Sequence, residues 1–427
     1  MSGFAAAETG AFTRRRVTIV LGTLTLLNLI GSGVLLWAIH RPGGLGTMMD
    51  FGAFWGAAVL ALEGRGIEAY DIATLTAVQS EALGVPYGRE MAWRYPPFLQ
   101  VALMPLGALP LLPAQAVWTL FTAALYAAAL LALAGRALGP GLTLAAGFAP
   151  ATVTMLAVNG QTGFLTAALT ALALVPLVHG RQGPVGQIAT GVALGCLALK
   201  PPIGLALPVV LLVARRWVAL ASAALTVLGL VLVATLAFGT DVWAAFAEGL
   251  VGAASDSRAS EVLDIQASVR ATLLTVGSGD AVALGVQAVV SLVGLGLLVA
   301  ATLGRLAPGF GAGGAALAAL VSYATIAISP RVMDYDLLIL VVGALAQLVR
   351  LTHRPAANWE HPVLGLAVLI PVADLASGMP LNWLLAPCLC ASLVIAERQA
   401  QSGSASGASS ANLSPGPGLP GGVSPPN

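Results

Sequence analysis

The stretch QIATGVALGCLALKPPIGLALPVVLLV, residues 187–213, holds one charge, Lys200, followed by two adjacent prolines. It is long and apolar enough to cross a bilayer once, because a span needs about 20 apolar residues. Its centre argues against that, since Pro inside a helix removes a backbone donor and clashes with the preceding turn. The flanks decide between the two readings. Arg181 lies before it and Arg215–Arg216 after it. Basic residues collect on the cytoplasmic side of membrane proteins, and a single crossing would put these two groups on opposite sides. The stretch is therefore expected to form two short helices with Lys200 at their outer turn.

The same parity extends along the chain. Other apolar runs fall near 17–39, 114–135, 141–158, 162–178, 217–238, 281–303, 311–328, 336–350, 360–376 and 380–396. Keeping Arg14–Arg16, Arg136, Arg181, Arg215–Arg216, Arg305, Arg350–Arg354 and Arg398 inside gives twelve spans with both termini in the cytoplasm. The segment 95–112 then reads as re-entrant or interfacial. The fold class expected is an all-α polytopic membrane protein. Composition agrees: 58% of the 427 residues are hydrophobic and 9% charged, against about 25% charged in soluble domains. The net charge of +1 gives no field for nucleic acid. Cys196, Cys388 and Cys390 lie in apolar runs without metal-ligand spacing.

The parts follow from this topology. Residues 1–16 form a cytoplasmic N-terminus, 17–398 the transmembrane domain, and 399–427 a Ser-, Gly- and Pro-rich tail expected to be disordered. The run 17–39 follows three arginines as a signal peptide would, but it is too long and lacks a clean cleavage site. Two long external loops are expected, 40–113 and 239–280, the second with a helix over 242–252. In the first, Phe51, Phe54, Trp55, Ala58, Val59 and Leu62 recur at helical spacing. That pattern predicts an amphipathic helix on the membrane surface, opened by Asp50.

Five polar clusters fall on the outer side: MMDFGAFW (48–55), WRYPPF (93–98), NGQTG (159–163), LKPP (199–202) and SPRVMDYD (329–336). Ionisable groups near membrane depth are functional candidates by default. Each also has a plainer reading. Asp50 caps its helix or acts as a general base. Lys200 snorkels to the interface or meets a phosphate. Arg331, Asp334 and Asp336 pair with one another or bind a ligand. Asn159 and Gln161 complete a helix turn or contact substrate. His179 and His353 read as interfacial groups inside. No P-loop, dinucleotide fingerprint, nucleophile elbow or metal-ligand run occurs.

In their order, DFGAFW, GRGIEAYD (64–71), WRYPPF, NGQ, KPP and the late SPR…DYD, these motifs resemble glycosyltransferase family 87. Those are membrane transferases of the C-type fold that use polyprenyl-phosphate sugars, the best known being bacterial α-mannosyltransferases. The resemblance covers roughly 17–350. It implies a polyprenyl-phosphate-sugar donor, a lipid or glycan acceptor, membrane lipids as surroundings, no cofactor, and an active site on the outer face of a bacterial inner membrane. It places the catalytic base at Asp50 and the donor phosphate at Lys200, Arg331 and Arg94. Trp55, Tyr95, Asn159, Gln161, Asp334, Tyr335 and Asp336 would line the substrate. Some relatives carry a histidine in the late motif, where this chain has Arg331 and Asp334. A transporter of lipid-linked saccharides is the competing expectation. It would be expected to show repeated halves, and the sequence has none.

Overall fold

Proline and glycine set several of the helix ends among the described residues. The structure, a computed structural model, describes residues 2–40, 50–84, 92–256, 266–306, 314–353, 359–365 and 382–411. Among these residues regular structure is helical, and the one β contact is an isolated bridge between Gln266 and Met333. The expected span 360–376 lies largely outside the described residues, as do 412–427 of the tail. The last helix, Leu385–Ala411, continues into the beginning of that tail.

Four described helices are long and apolar enough to cross a bilayer: Arg15–Ala38, Leu111–Leu138, Trp217–Phe238 and Asp280–Thr302. Their outward faces explain why they need lipid. Leu225, Leu228, Leu232 and Leu236 are exposed on the third, and Val282, Val289, Leu292 and Val293 on the fourth. A row of exposed large apolar side chains this long marks contact with a membrane or a partner, not water. The expected single run 141–158 is instead two helices, Pro140–Phe148 and Thr152–Asn159, bent by 70°. The bend falls at Pro150, which has no N–H to continue the ladder. Counted as one, the pair is a fifth candidate span. Stretch 187–213 breaks as its prolines dictate, into Pro184–Cys196 and Ala206–Val213. Lys200 takes φ −141° and ψ 78° between two short 3₁₀ turns, out of the helical region that a following proline disfavours.

Small residues let these helices approach closely. A Cβ on Gly191 would meet the Ala219 carbonyl oxygen at 2.3 Å, and one on Gly195 would meet Thr226 Cβ at 2.5 Å. This four-residue spacing seats Pro184–Cys196 on Trp217–Phe238, the usual device where helices pack without a hydrophobic driving force.

One expectation is corrected. The helix Phe51–Leu62 is not a surface helix with one wet face. Phe51 to Ala58, Leu60 and Ala61 are all buried. The residues between its large apolar positions are Gly52, Ala53, Gly56 and Ala57, which are small but not polar, so all faces of residues 51–58 pack, while Val59 is half-buried and Leu62 is exposed. Pro97–Gly107 covers it so tightly that a Cβ on Gly107 would sit 2.7 Å from the Ala58 backbone. At 11 residues, or about 16 Å, this second helix is too short to cross the membrane. In the second long loop a helix runs from Asp241 to Asp256.

Candidate active site

Glycine brings the first, third and fifth polar clusters together. Gly160 ends the helix Thr152–Asn159 with φ +66°, a left-handed conformation that glycine adopts without strain. A Cβ there would lie 2.7 Å from Phe51 Cβ, and one on Gly163 would lie 2.5 Å from the Tyr335 carbonyl oxygen. Only glycines at both ends of NGQTG let this turn lie between the Asp50 helix and the late SPRVMDYD segment. Trp118 Nε1 and Gln115 Nε2 donate to the Gly160 and Val158 carbonyls at 2.9 and 2.7 Å and brace the turn from below.

The turn presents Gln161. Its amide donates to Asp50 Oδ2 at 2.8 Å, and its oxygen accepts from the Tyr95 hydroxyl at 3.2 Å. Thr162 Oγ1 lies 3.3 Å from the same hydroxyl. Asp50, Gln161 and Tyr95 therefore form one hydrogen-bonded chain from three separate motifs. Asp50 is 8% exposed. It makes no side-chain cap to its helix, so the capping reading is corrected: the carboxylate turns to Gln161 instead. The ring of Tyr95 packs on Phe54 and Trp93, with centroids 4.9 and 5.4 Å away. Burial pushes its phenol above the ordinary value, and the bond to Thr162 opposes that.

The second half of the cluster is ionic. Lys200 Nζ donates to both oxygens of Asp336, at 2.6 and 2.7 Å, and stands 4.6 Å from the centre of the Tyr335 ring. Asp336 is fully buried and also accepts from the Met333 amide at 3.0 Å. Lys200 does not snorkel, because its ammonium has a buried carboxylate to bind. Burial lowers the Lys200 ammonium from its ordinary value and Asp336 raises it. Nor do the late-motif charges pair only among themselves: Asp336 takes Lys200, and Asp334 accepts from Asn382 Nδ2 at 3.0 Å. Asp50, Asp336 and Arg331 all lie within electrostatic range of Tyr95 and Tyr335, which ties the two halves into one site.

Trp55 and Asn159 do not join the cluster by a hydrogen bond among the described residues. Trp55 donates its indole N–H to the Leu109 carbonyl at 2.8 Å, bracing a loop. Asn159 makes no side-chain hydrogen bond among the described residues. Arg94 is half-buried, one residue before Tyr95. Sequence reasoning passed over Thr162, Asn382, Gln115 and Trp118. Gln115 and Asn382 carried a usable signal, as polar amides in apolar runs. Ala267 N donates to the Val332 carbonyl at 2.8 Å, so the second long loop also touches the site, which nothing in its composition announces.

A family model described as glycosyltransferase family 87 matches residues 93–330. The match spans Tyr95, Gln161 and Lys200, begins after Asp50 and ends just before Arg331. No curated protein and no solved structure matches the chain.

Proposed function

The chain belongs to glycosyltransferase family 87 and is thus a membrane glycosyltransferase, and from that premise we propose that it moves a hexose, mannose for preference, from a polyprenyl-phosphate donor to a lipid or glycan hydroxyl on the outer face of a bacterial inner membrane. In this reading the chain has the C-type layout of twelve spans with the clusters around Asp50 outside. The transporter expectation has no support beside a transferase family.

The reaction is a single displacement. The Asp50 carboxylate takes the proton of the acceptor hydroxyl. That oxygen attacks the anomeric carbon from the face opposite the phosphate, the carbon–oxygen bond to phosphate breaks, and polyprenyl phosphate leaves with the bonding pair. Configuration inverts. The observation that carries the assignment is the hydrogen bond from Gln161 to a buried Asp50 that does not cap its own helix. A positioned carboxylate in hydrogen-bond reach of a bound hydroxyl is what general-base catalysis requires.

The leaving phosphate needs fixed positive charge. Lys200 has three N–H donors, and two are engaged by Asp336. The third can reach a phosphate oxygen while Asp336 holds the ammonium in place. Arg331 and Arg94 supply the remaining charge. Tyr95, Trp55, Asn159, Tyr335 and Asp334 shape the space for sugar and acceptor.

The test is Asp50→Asn. Asn is nearly isosteric and no cap is lost, so the variant should fold and bind donor, and its turnover should fall by about 10²–10⁴-fold. Sugar transfer at near wild-type rate would remove Asp50 from the role of base.

A further inference from the structure

Asn28 lies near the middle of the first candidate span, Arg15–Ala38, beside the exposed side chains of Leu26, Leu27, Leu29 and Ile30. A carboxamide at that depth needs partners, because the surroundings offer no water. Thr25, Asn28 and Ser32 stand at i, i+3 and i+7, on one face of the helix. That face meets the bent pair Pro140–Phe148 and Thr152–Asn159.

The partners of Asn28 are all at the bend. In an unbroken helix the amides of residues 152 and 153 would donate to the carbonyls of Phe148 and Ala149. At the 70° bend Val153 N turns to the Pro150 carbonyl instead, at 3.0 Å. Asn28 Nδ2 donates to the carbonyls of Phe148, Ala149 and Pro150 at 3.1, 2.7 and 3.0 Å. Two hydrogens serve three acceptors, so one is shared. From the other side of the bend, the Thr154 hydroxyl donates to the Asn28 carbonyl and to Oδ1, at 3.2 and 3.3 Å. Asparagine is a common glue between membrane helices, but here it answers three consecutive carbonyls at one break in the chain.

The break leads to the candidate active site. Thr152–Asn159 is about 12 Å long. Gly160 ends it and Gln161 follows, donating to Asp50 Oδ2 at 2.8 Å. Without Asn28, the pair would keep unmet carbonyls in apolar surroundings or unbend to offer them its own amides. Unbending by about 7°, a tenth of the whole, moves the far end of a 12 Å helix by about 1.5 Å. A misplacement of about 1 Å is enough to cost about 10²-fold at a reacting group.

We propose that Asn28 is a positioning residue for the Asp50–Gln161 pair. Its amide holds the bend at Pro150, and the bend sets where the NGQTG turn presents Gln161 to the carboxylate. The proposal rests on the reading of Asp50 as the base.

The test is steady-state transfer from polyprenyl-phosphate mannose by the reconstituted full chain, with kcat and donor KM resolved. Asn28→Leu keeps the bulk and removes the donor. Its kcat should fall about tenfold, because Trp118 still braces the Gly160 carbonyl, and donor KM should stay as it is. Placed in Gln161→Leu, the same change should lower kcat no further, since residues acting through one contact are not additive. Thr154→Val is isosteric and frees the other side of the bend. It should lower kcat by a smaller factor with the same non-additivity, which keeps the test decisive if Asn28→Leu does not fold. Thr25→Val removes a bond from the same span to the Ala145 carbonyl, 3.1 Å long and before the bend, and should leave kcat at the wild-type value. An equal loss of kcat in Thr25→Val would assign the effect to general packing of the span and overturn the proposal. So would losses that are the same with and without Gln161. Wild-type kcat in Asn28→Leu and Thr154→Val would overturn it and leave Asp50 as the base, whereas wild-type turnover in Asp50→Asn would remove both.

Discussion

Asp50 and Gln161 stand 111 positions apart and share one hydrogen bond. The amide fixes the plane of the carboxylate, and the Tyr95 hydroxyl fixes the amide by donating to its oxygen. Gln161→Leu keeps the bulk and removes the donor. Turnover should fall by about 10²-fold, the cost of a misplacement near 1 Å at a reacting group, with the KM for donor little changed. Steady-state kinetics decide this, and an unchanged turnover would leave Gln161 without a role in catalysis. Lys200→Ala tests something else. It strands a fully buried Asp336, and breaking a buried pair costs about 3–5 kcal/mol. Thermal unfolding of the purified variant should show that loss, and Lys200→Met with Asp336→Leu should recover most of it without recovering activity. Equal stability of the wild type and Lys200→Ala would mean the pair is not structural. At this scale the sequence named Asp50, Gln161, Lys200 and Asp336 as candidates but not their partners. Lys200 and Asp336 are 136 residues apart, and no local pattern shows which of the two late-motif acids the fold delivers to this lysine.

The first long loop shows what periodicity reads well and what it misreads. The helix Phe51–Leu62 was legible from the spacing of its large apolar side chains. Its surroundings were not, because alanine and glycine on the other faces look neutral in a pattern of large and polar residues, yet they are what lets a second helix approach. The cap was misplaced for a related reason. Asp50 precedes an apolar run as caps do, but the true capping aspartate is Asp71, whose side chain accepts from Ala73 N and Thr74 N at the start of Ile72–Leu83. The Thr74 hydroxyl, at 2.5 Å, and these amides hold the Asp71 carboxyl below its ordinary value. A depressed folded-state value means the stabilisation is present above the unfolded carboxylate value, about 3.9, and is lost as pH falls through the folded one. Hydrogen exchange of the Ala73 and Thr74 amides, corrected for intrinsic rate, should lose protection over that acid window. Asp71→Asn, which caps without titrating, should keep its protection. Loss of protection in both proteins alike would assign the effect to another group.

For the molecule as a whole, hydropathy and charge parity were enough to read an all-helical membrane protein with a break at Lys200. Twelve spans were more than hydropathy alone can fix. It treats each apolar run as one straight helix, while Pro150 bends one run by 70° and several others form helices of 10–17 residues. Those are shorter than the roughly 30 Å hydrocarbon core demands of an upright span. The central claim is that the folded chain transfers sugar from a lipid phosphate. The direct measurement is a purified, reconstituted preparation given polyprenyl-phosphate mannose or a nucleotide-linked mannose, with a hydroxyl-bearing glycolipid acceptor. The account predicts mannosylated acceptor from the lipid-linked donor only, with the anomeric configuration inverted. Transfer from the nucleotide sugar, or movement of the lipid donor across the bilayer without any transfer, would contradict it.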